Sequence, residues 1–293
     1  MKKSVLTIIL SLITVFTYAQ DKSEISKLSF SGIDSLLRET SKQNLSVSEK
    51  MNHYSKMFLG MKYDLECVGD GEYSIYEPWP LVNFQGTNCM AYCEHVLAMS
   101  ISDNWDNFFN NLQQIRYKDG VISIKNRNHY TMADWLPENN WLLENISAKV
   151  GNAYVSNINR TISHKKFFAS KGMKHLDYVK EDRKMKVDYI PLAEFGNVIG
   201  NLKTGDILVL LHKKLDNIFA AHMLMVMENN GKKIIREATT STMLVIDTDI
   251  NKWVSYKQKN KSDKYIGLSV IRLKENINKV GKIILPWEIA SIK

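Results

Sequence analysis

The clearest patterning lies in the last third of the chain. "GDILVLL" (205–211), "HMLMVMEN" (222–229), "KKIIREAT" (232–239) and "YIGLSVIRLK" (265–274) are short apolar runs that predict successive strands. "ENNGKK" makes a tight connection between two of them. The first half carries helical spacing instead. "SFSGIDSLLRETS" reads as a short helix. In "SVSEKMNHYSKMFLGMKY", Met51, Tyr54, Met57 and Phe58 recur on one face, with Ser46 or Ser48 as cap and Gly60 as stop. "WDNFFNNLQQIRY" gives another helix, and "IRYKDGVISI" predicts a hairpin turning at Asp119-Gly120. Residues 20–30 read as loose. Residues 64–86, with Gly69, Gly71, Pro78, Pro80 and Gly86, read as irregular with some strand. "NRNHYTMADWLPENNWLLENI" is a polar, aromatic-rich connection into a short helix, and residues 150–200 give no clear pattern. Helices followed by an antiparallel meander predict an α+β domain over residues 46–293, preceded by an extension over 20–45.

Composition adds little to this picture, but the N-terminus adds more. The 293 residues are 44% hydrophobic and 24% charged, with 5 prolines, as in an ordinary globular protein. Lys2 and Lys3, the apolar "SVLTIILSLITVF" and the small-residue site "TYA" form an export signal, with cleavage expected after Ala19. An uncleaved anchor is the alternative, and no later segment is apolar enough to span a bilayer. The mature chain is expected to be periplasmic or extracellular. The net charge of +8 is scattered, without a basic helix stripe or an aromatic platform. This argues against nucleic acid and suits an anionic cell envelope.

The candidate chemistry concentrates in "GTNCMAYCEHVLAMS" (86–100). Cys89, Cys93 and His95 could be zinc ligands by type. At about 100° per residue, however, Cys93 lies about 40° from Cys89 and His95 about 240° from it, so a local three-ligand site fails. No metal or cofactor is expected. Thr87 or Asn88 can cap a helix that begins at Cys89, where the helix dipole stabilises a thiolate. Cys93, one turn on, reads as a packing residue. With three cysteines in an exported chain, at least one thiol lacks an intramolecular partner, and a Cys67–Cys93 pairing stays open. Among seven histidines, His222 opens an apolar strand and is well placed to face a helix start packed on the sheet.

A helix beginning with Cys, a strand beginning with His and a polar residue on the next strand resemble the layout of NlpC-type, papain-like cell-wall hydrolases. "TNCMAYCEHVLAMS", "NLQQIRYKDGVIS", "NRNHYTMADWL" and "GDILVLL…AAHMLMV" resemble the N-acetylmuramoyl-L-alanine amidase-like family, over roughly residues 47–275. The "IRYKDG…RNHYTMADWL" block is the most distinctive part. The resemblance implies a papain-like core with Cys89 as nucleophile and His222 as general base. A third, orienting group would come from the next strand, where Glu237 stands beside Arg236. Glu94 matches a family glutamate and is either a substrate-binding or structural hydrogen-bonding residue or a solvated helix charge. His129, Asp134 and Trp135 would line a cleft for a sugar or stem peptide, or hold their own loop. The chain departs from the family pattern at Asn88, where aspartate is usual, at Cys93 and His95, and in "LGMKY", which lacks a proline.

The implied activity is hydrolysis of the N-acetylmuramoyl–L-alanine amide in peptidoglycan fragments by a monomeric cysteine amidase. The alternatives are a stem-peptide endopeptidase, a non-catalytic envelope-binding module, or an acyltransferase or toxin-like effector on the same scaffold.

Overall fold

The computed structural model describes residues 23–173, 177 and 179–274. The export signal with its Ala19 cleavage site, and His175, lie outside the described residues. The helical half consists of α1 (Phe30–Ser41), α2 (Val47–Met57), α3 (Cys89–Ser100) and α4 (Trp105–Arg116). Ser46 and Glu49 form a reciprocal capping box on α2, so Ser46 rather than Ser48 is the cap. Helix α3 is buried from Ala91 to Ser100 all the way round, because it packs against α2, α4 and the sheet at once.

A π-helical turn at Thr131–Trp135 runs into α5 (Leu136–Glu138), followed by strand β1 (Leu143–Asn145) and α6 (Ser147–Gly151). Then come β2 (Ser156–Ile162), α7 (His164–Ser170), β3 (Arg183–Pro191), β4 (Ile207–His212), β5 (Ala220–Asn229), β6 (Lys232–Thr239), β7 (Leu244–Asp249), α8 (Ile250–Lys261) and β8 (Tyr265–Leu273). The sheet runs β2-β3-β8-β4-β5-β6-β7, with β1 added to β8, and its pairs are antiparallel. This is the α+β architecture that the patterning predicts.

The sheet is covered on both faces, which is why its central strands read as continuous apolar runs. Ile207, Val209 and Leu211, with Met223, Met225 and Met227, face the helical layer of α1–α4. Leu208, Leu210, Leu224 and Val226 face the other way, onto a second core with Trp253 and Val254 of α8. No helix among the described residues is long and apolar enough to cross a membrane.

Three expectations change. The hairpin at 115–124 is absent, because α4 continues through Ile115 and Arg116. Ile115 packs into the core, and Arg116 forms a buried ion pair. The chain then makes a 3-10 turn at Lys118–Gly120 and a single bridge, Tyr117 to Arg127. Residues 20–30 are not loose where described, since Ile25 is fully buried with Ile33 and Leu37 in the main core. Residues 64–86 form an irregular loop without strands, entered through isolated bridges at Lys62 and Tyr63.

Gly267 tests the packing of β8 against β3. A Cβ there would lie 2.2 Å from the Ile190 carbonyl oxygen. Gly267→Ala is expected to cost about 1–3 kcal/mol in urea unfolding. Gly196→Ala, whose Cβ meets open space, is the control that should change stability little.

Candidate active site

Asn88 ends the irregular segment and caps α3. Its side-chain oxygen accepts from the N–H of Met90 at 3.1 Å and of Ala91 at 2.9 Å. Its amide donates to the Leu65 carbonyl and to the Cys67 sulfur. The helix start is thereby tied to the preceding loop, and Cys89 becomes the first helical residue, at the electropositive end. Cys89 is half-buried, whereas Cys67 and Cys93 are fully buried, and all three are free thiols. Burial pushes the Cys67 thiol up to about 12 and the Cys93 thiol well above its ordinary value.

His222 comes from the other face of the sheet. It alternates in phase with Leu224 and Val226, which pack towards α8. Two irregularities bring it to Cys89. Leu210 pairs with His222 but Leu211 pairs with Ala220, so Ala221 is an extra, bulged residue beside the histidine. On the opposite edge, the β5–β6 ladder ends at Met225–Arg236. Beyond that point the Met223 N–H is directed to the Cys89 sulfur instead of to β6.

Glu237 completes a chain of contacts. His222 Nε2 lies 2.6 Å from Glu237 Oε2, and Trp253 Nε1 donates to Glu237 Oε1 at 2.8 Å. With Nε2 engaged, Nδ1 is the ring nitrogen left for the Cys89 thiol, which is hydrogen bonded to His222. These contacts set the electrostatics. Burial raises the Cys89 pKa, but the His222 hydrogen bond and charge outweigh it and leave the thiol below its ordinary value. Burial lowers His222, but its bonds to Cys89 and Glu237 raise it to about 9. Burial raises the Glu237 carboxyl, and the bond and charge of His222 bring it below normal. All three shifts favour thiolate, imidazolium and carboxylate in a row.

These residues line a cleft of about 560 Å³ that also carries Tyr63, Thr239, Trp253 and Lys257. A larger cavity, about 770 Å³, is lined by His129, Arg160 and Lys166 and contains none of the three. Size alone would point to that cavity; the paired thiol and imidazole point to the smaller one. No cluster of three or more possible metal-ligating side chains occurs among the described residues. His95 is a core histidine: it hydrogen bonds the Ala91 carbonyl at 2.7 Å, packs against Phe84, and is lowered by burial to about 3.

Residues 53–262 match the AmiA-like family, described as N-acetylmuramoyl-L-alanine amidase-like. The chain belongs to this family. Among curated proteins, none matches it. Solved structures share the amidase-like fold at low identity. A Legionella pneumophila protein of the DUF1460 family superposes with a TM-score of 0.71 at 20% identity, over 83% of this chain and 94% of its own. An N-acetylmuramoyl-L-alanine amidase from Bacteroides uniformis gives 0.63 at 21% identity, over 78% and 99%.

The remaining residues singled out from the sequence lie elsewhere in the amidase-like fold, and three of them cannot line an open cleft. Glu94 is buried and pairs with Arg116 at 2.8 Å, so it is not a solvated helix charge. Asp134 is buried among His164 (2.7 Å), Arg183 (2.7 Å) and Lys180 (3.2 Å). Burial raises its carboxyl, but the bond and charge of His164, with the two cations, hold it well below the ordinary range. Trp135 is fully buried. His129 does line a cavity, but the larger one. Its Nε2 contacts the Ile124 carbonyl at 2.7 Å, and burial lowers it to about 4, which keeps it neutral. Trp253, which holds Glu237, was not singled out from the sequence. Its signal was a tryptophan four residues before Lys257, in the stretch between two predicted strands to which no element was assigned.

Removing Glu94 would strand the buried Arg116 guanidinium. Glu94→Ala is expected to lose about 3–5 kcal/mol in chemical denaturation. The Glu94→Leu/Arg116→Met pair should recover much of that loss, because neither charge is then left unpaired.

Proposed function

We propose that this chain is an exported cysteine amidase with a papain-like catalytic arrangement, cleaving the N-acetylmuramoyl–L-alanine amide of peptidoglycan fragments. The observation that carries the reading is the continuous chain Cys89–His222–Glu237–Trp253 at a helix start inside a cleft. The substrate class follows from the amidase-like family. Action outside the cytoplasm follows from that cell-wall substrate and from the export pattern at residues 1–19.

In this mechanism the Cys89 thiolate attacks the lactyl carbonyl carbon, and the C–N bond breaks as the His222 imidazolium gives its proton to the departing alanine nitrogen. A water then attacks the thioester. His222 takes its proton, the C–S bond breaks, and the carboxylate product leaves. Glu237 holds His222 through Nε2 so that Nδ1 faces sulfur and substrate, and Trp253 fixes Glu237. The Asn88 side chain occupies the N–H groups of Met90 and Ala91. The Cys89 N–H is then the helix-end donor for the oxyanion. Because Glu94, Asp134 and Trp135 are buried, they act on the reaction only by holding the fold around it.

Cys89→Ala is expected to abolish release of alanine-terminated stem peptides from defined muropeptides, followed by mass spectrometry. Full turnover in that variant would exclude the mechanism. Cleavage inside the stem would instead identify an endopeptidase. Wild-type binding without turnover, with Cys89 slow to alkylate, would identify a binding module. The pH profile of kcat/KM should be bell-shaped. Its acid limb reports protonation of the depressed Cys89 thiolate, and its alkaline limb, near pH 9, reports loss of the His222 proton. Glu237→Gln removes the anion that raises His222, so the alkaline limb should move to lower pH and kcat should fall by about 10²-fold or more.

A further inference from the structure

The α8 wall of the cleft is cationic. Lys252, Lys257 and Lys261 of α8 all line the same cleft as Cys89 and His222. The one carboxylate in that lining is Glu237, and it is already engaged by His222 and Trp253. Among the described residues, none of the three lysines takes part in an ion pair within 4.0 Å. Lys257 is half-buried and held in place. Its Nζ sits 4.8 Å from the Trp253 ring centroid and 5.8 Å from that of Tyr265, so the ammonium is fixed between two aromatic faces.

This arrangement is unfavourable without an anion. Lys257 and Lys261 are four residues apart on one helix, where like charges repel. Burial lowers the Lys257 pKa, Glu237 raises it and Lys261 lowers it again, so the ammonium is incompletely compensated. The larger cavity differs: Asp182 and Asp216 accompany its lysines, and the Arg160 guanidinium there is taken up by the carbonyls of Ile218 and His212.

We propose that the α8 wall is a carboxylate-binding subsite, in which Lys257, backed by Lys261 and Lys252, pairs with a free carboxylate of the stem peptide beside the bond that is cleaved. This rests on the reading of the substrate as a peptidoglycan fragment. In such a stem the glutamate is linked through its γ-carboxyl, so its α-carboxylate is free unless amidated. It stands one residue beyond the alanine amide, a few ångströms along an extended chain. The subsite makes the amidase selective for the free acid over the amidated stem. Hydroxyl-bearing residues of the same lining, such as Thr239 and Ser241, are uncharged and give no such preference.

The test uses two muropeptides that differ only in whether the glutamate α-carboxyl is free or amidated. For the full-length mature chain, kcat/KM is expected to favour the free acid by about tenfold or more, carried by KM. Lys257→Gln should erase that preference, and Lys257→Arg, which keeps the charge, should retain most of it. Equal turnover of the two substrates by the wild type would overturn the proposal. So would an equal loss on both in Lys257→Gln, which would mean that Lys257 acts through Glu237 or the fold. Calorimetric binding to the Cys89→Ala protein and to its Lys257→Gln derivative separates this proposal from the catalytic one. If neither substrate is hydrolysed, the amidase reading fails, and tighter binding of the free acid still decides for the subsite. No difference in binding decides against it.

Discussion

The site depends on the place where β5 and β6 stop pairing. Cys89 belongs to a helix on one face of the sheet, and His222 and Glu237 alternate in phase with residues of the other face. A continuous ladder would keep them apart. Here the ladder ends at Met225–Arg236, the bulge at Ala221 turns the strand, and the Met223 N–H is freed for the sulfur. Thiol and imidazole meet through that gap. An interrupted ladder forfeits backbone hydrogen bonds, and the sulfur contact recovers one of them.

Burial alone would neutralise all three groups, raising the carboxyl and thiol and lowering the imidazole. Mutual contact reverses the sign at each position. The order of the contacts matters as much as their strength. Trp253 fixes one oxygen of Glu237, which leaves the other for Nε2, which leaves Nδ1 for sulfur. Helix α8 therefore belongs to the site twice, supplying the tryptophan that orients the carboxylate and the lysines that face the cleft.

Other buried ion pairs hold the scaffold. Arg116–Glu94 joins α4 to α3, Arg236–Asp247 joins β6 to β7 and reaches Ser55 of α2, and Asp134 gathers His164, Lys180 and Arg183 around the π-helical turn. Such pairs are costly to break one partner at a time. The block "IRYKDG…RNHYTMADWL" supplies Arg116 and Asp134 to these contacts, and its Arg127 pairs with Glu77 at 2.6 Å, which accounts for these polar residues without placing them in the cleft.

Apolar runs and helical spacing were strong enough in the sequence to determine α2, α3, β4, β5, β6 and β8, because each buries a regular face or a continuous apolar run. Residue type and cap chemistry also indicated that Cys89 starts its helix. Elements without that regularity were missed, among them β2, α7 and β3 in residues 150–200, and β7 and α8: α8 is rich in lysine and buries only Ile250, Trp253 and Val254. The hairpin expected at 115–124 failed because Arg116 had a distant buried partner, which local alternation cannot register. The resemblance pointed to Glu237 as the orienting group, and the tertiary structure gave the contact its geometry: Glu237 meets His222 while its neighbour Arg236 faces the opposite side of the sheet. The tertiary structure alone brought Trp253 and Lys257 to the same cleft, because contacts across the gap between β5 and β6 leave no periodic trace along the chain.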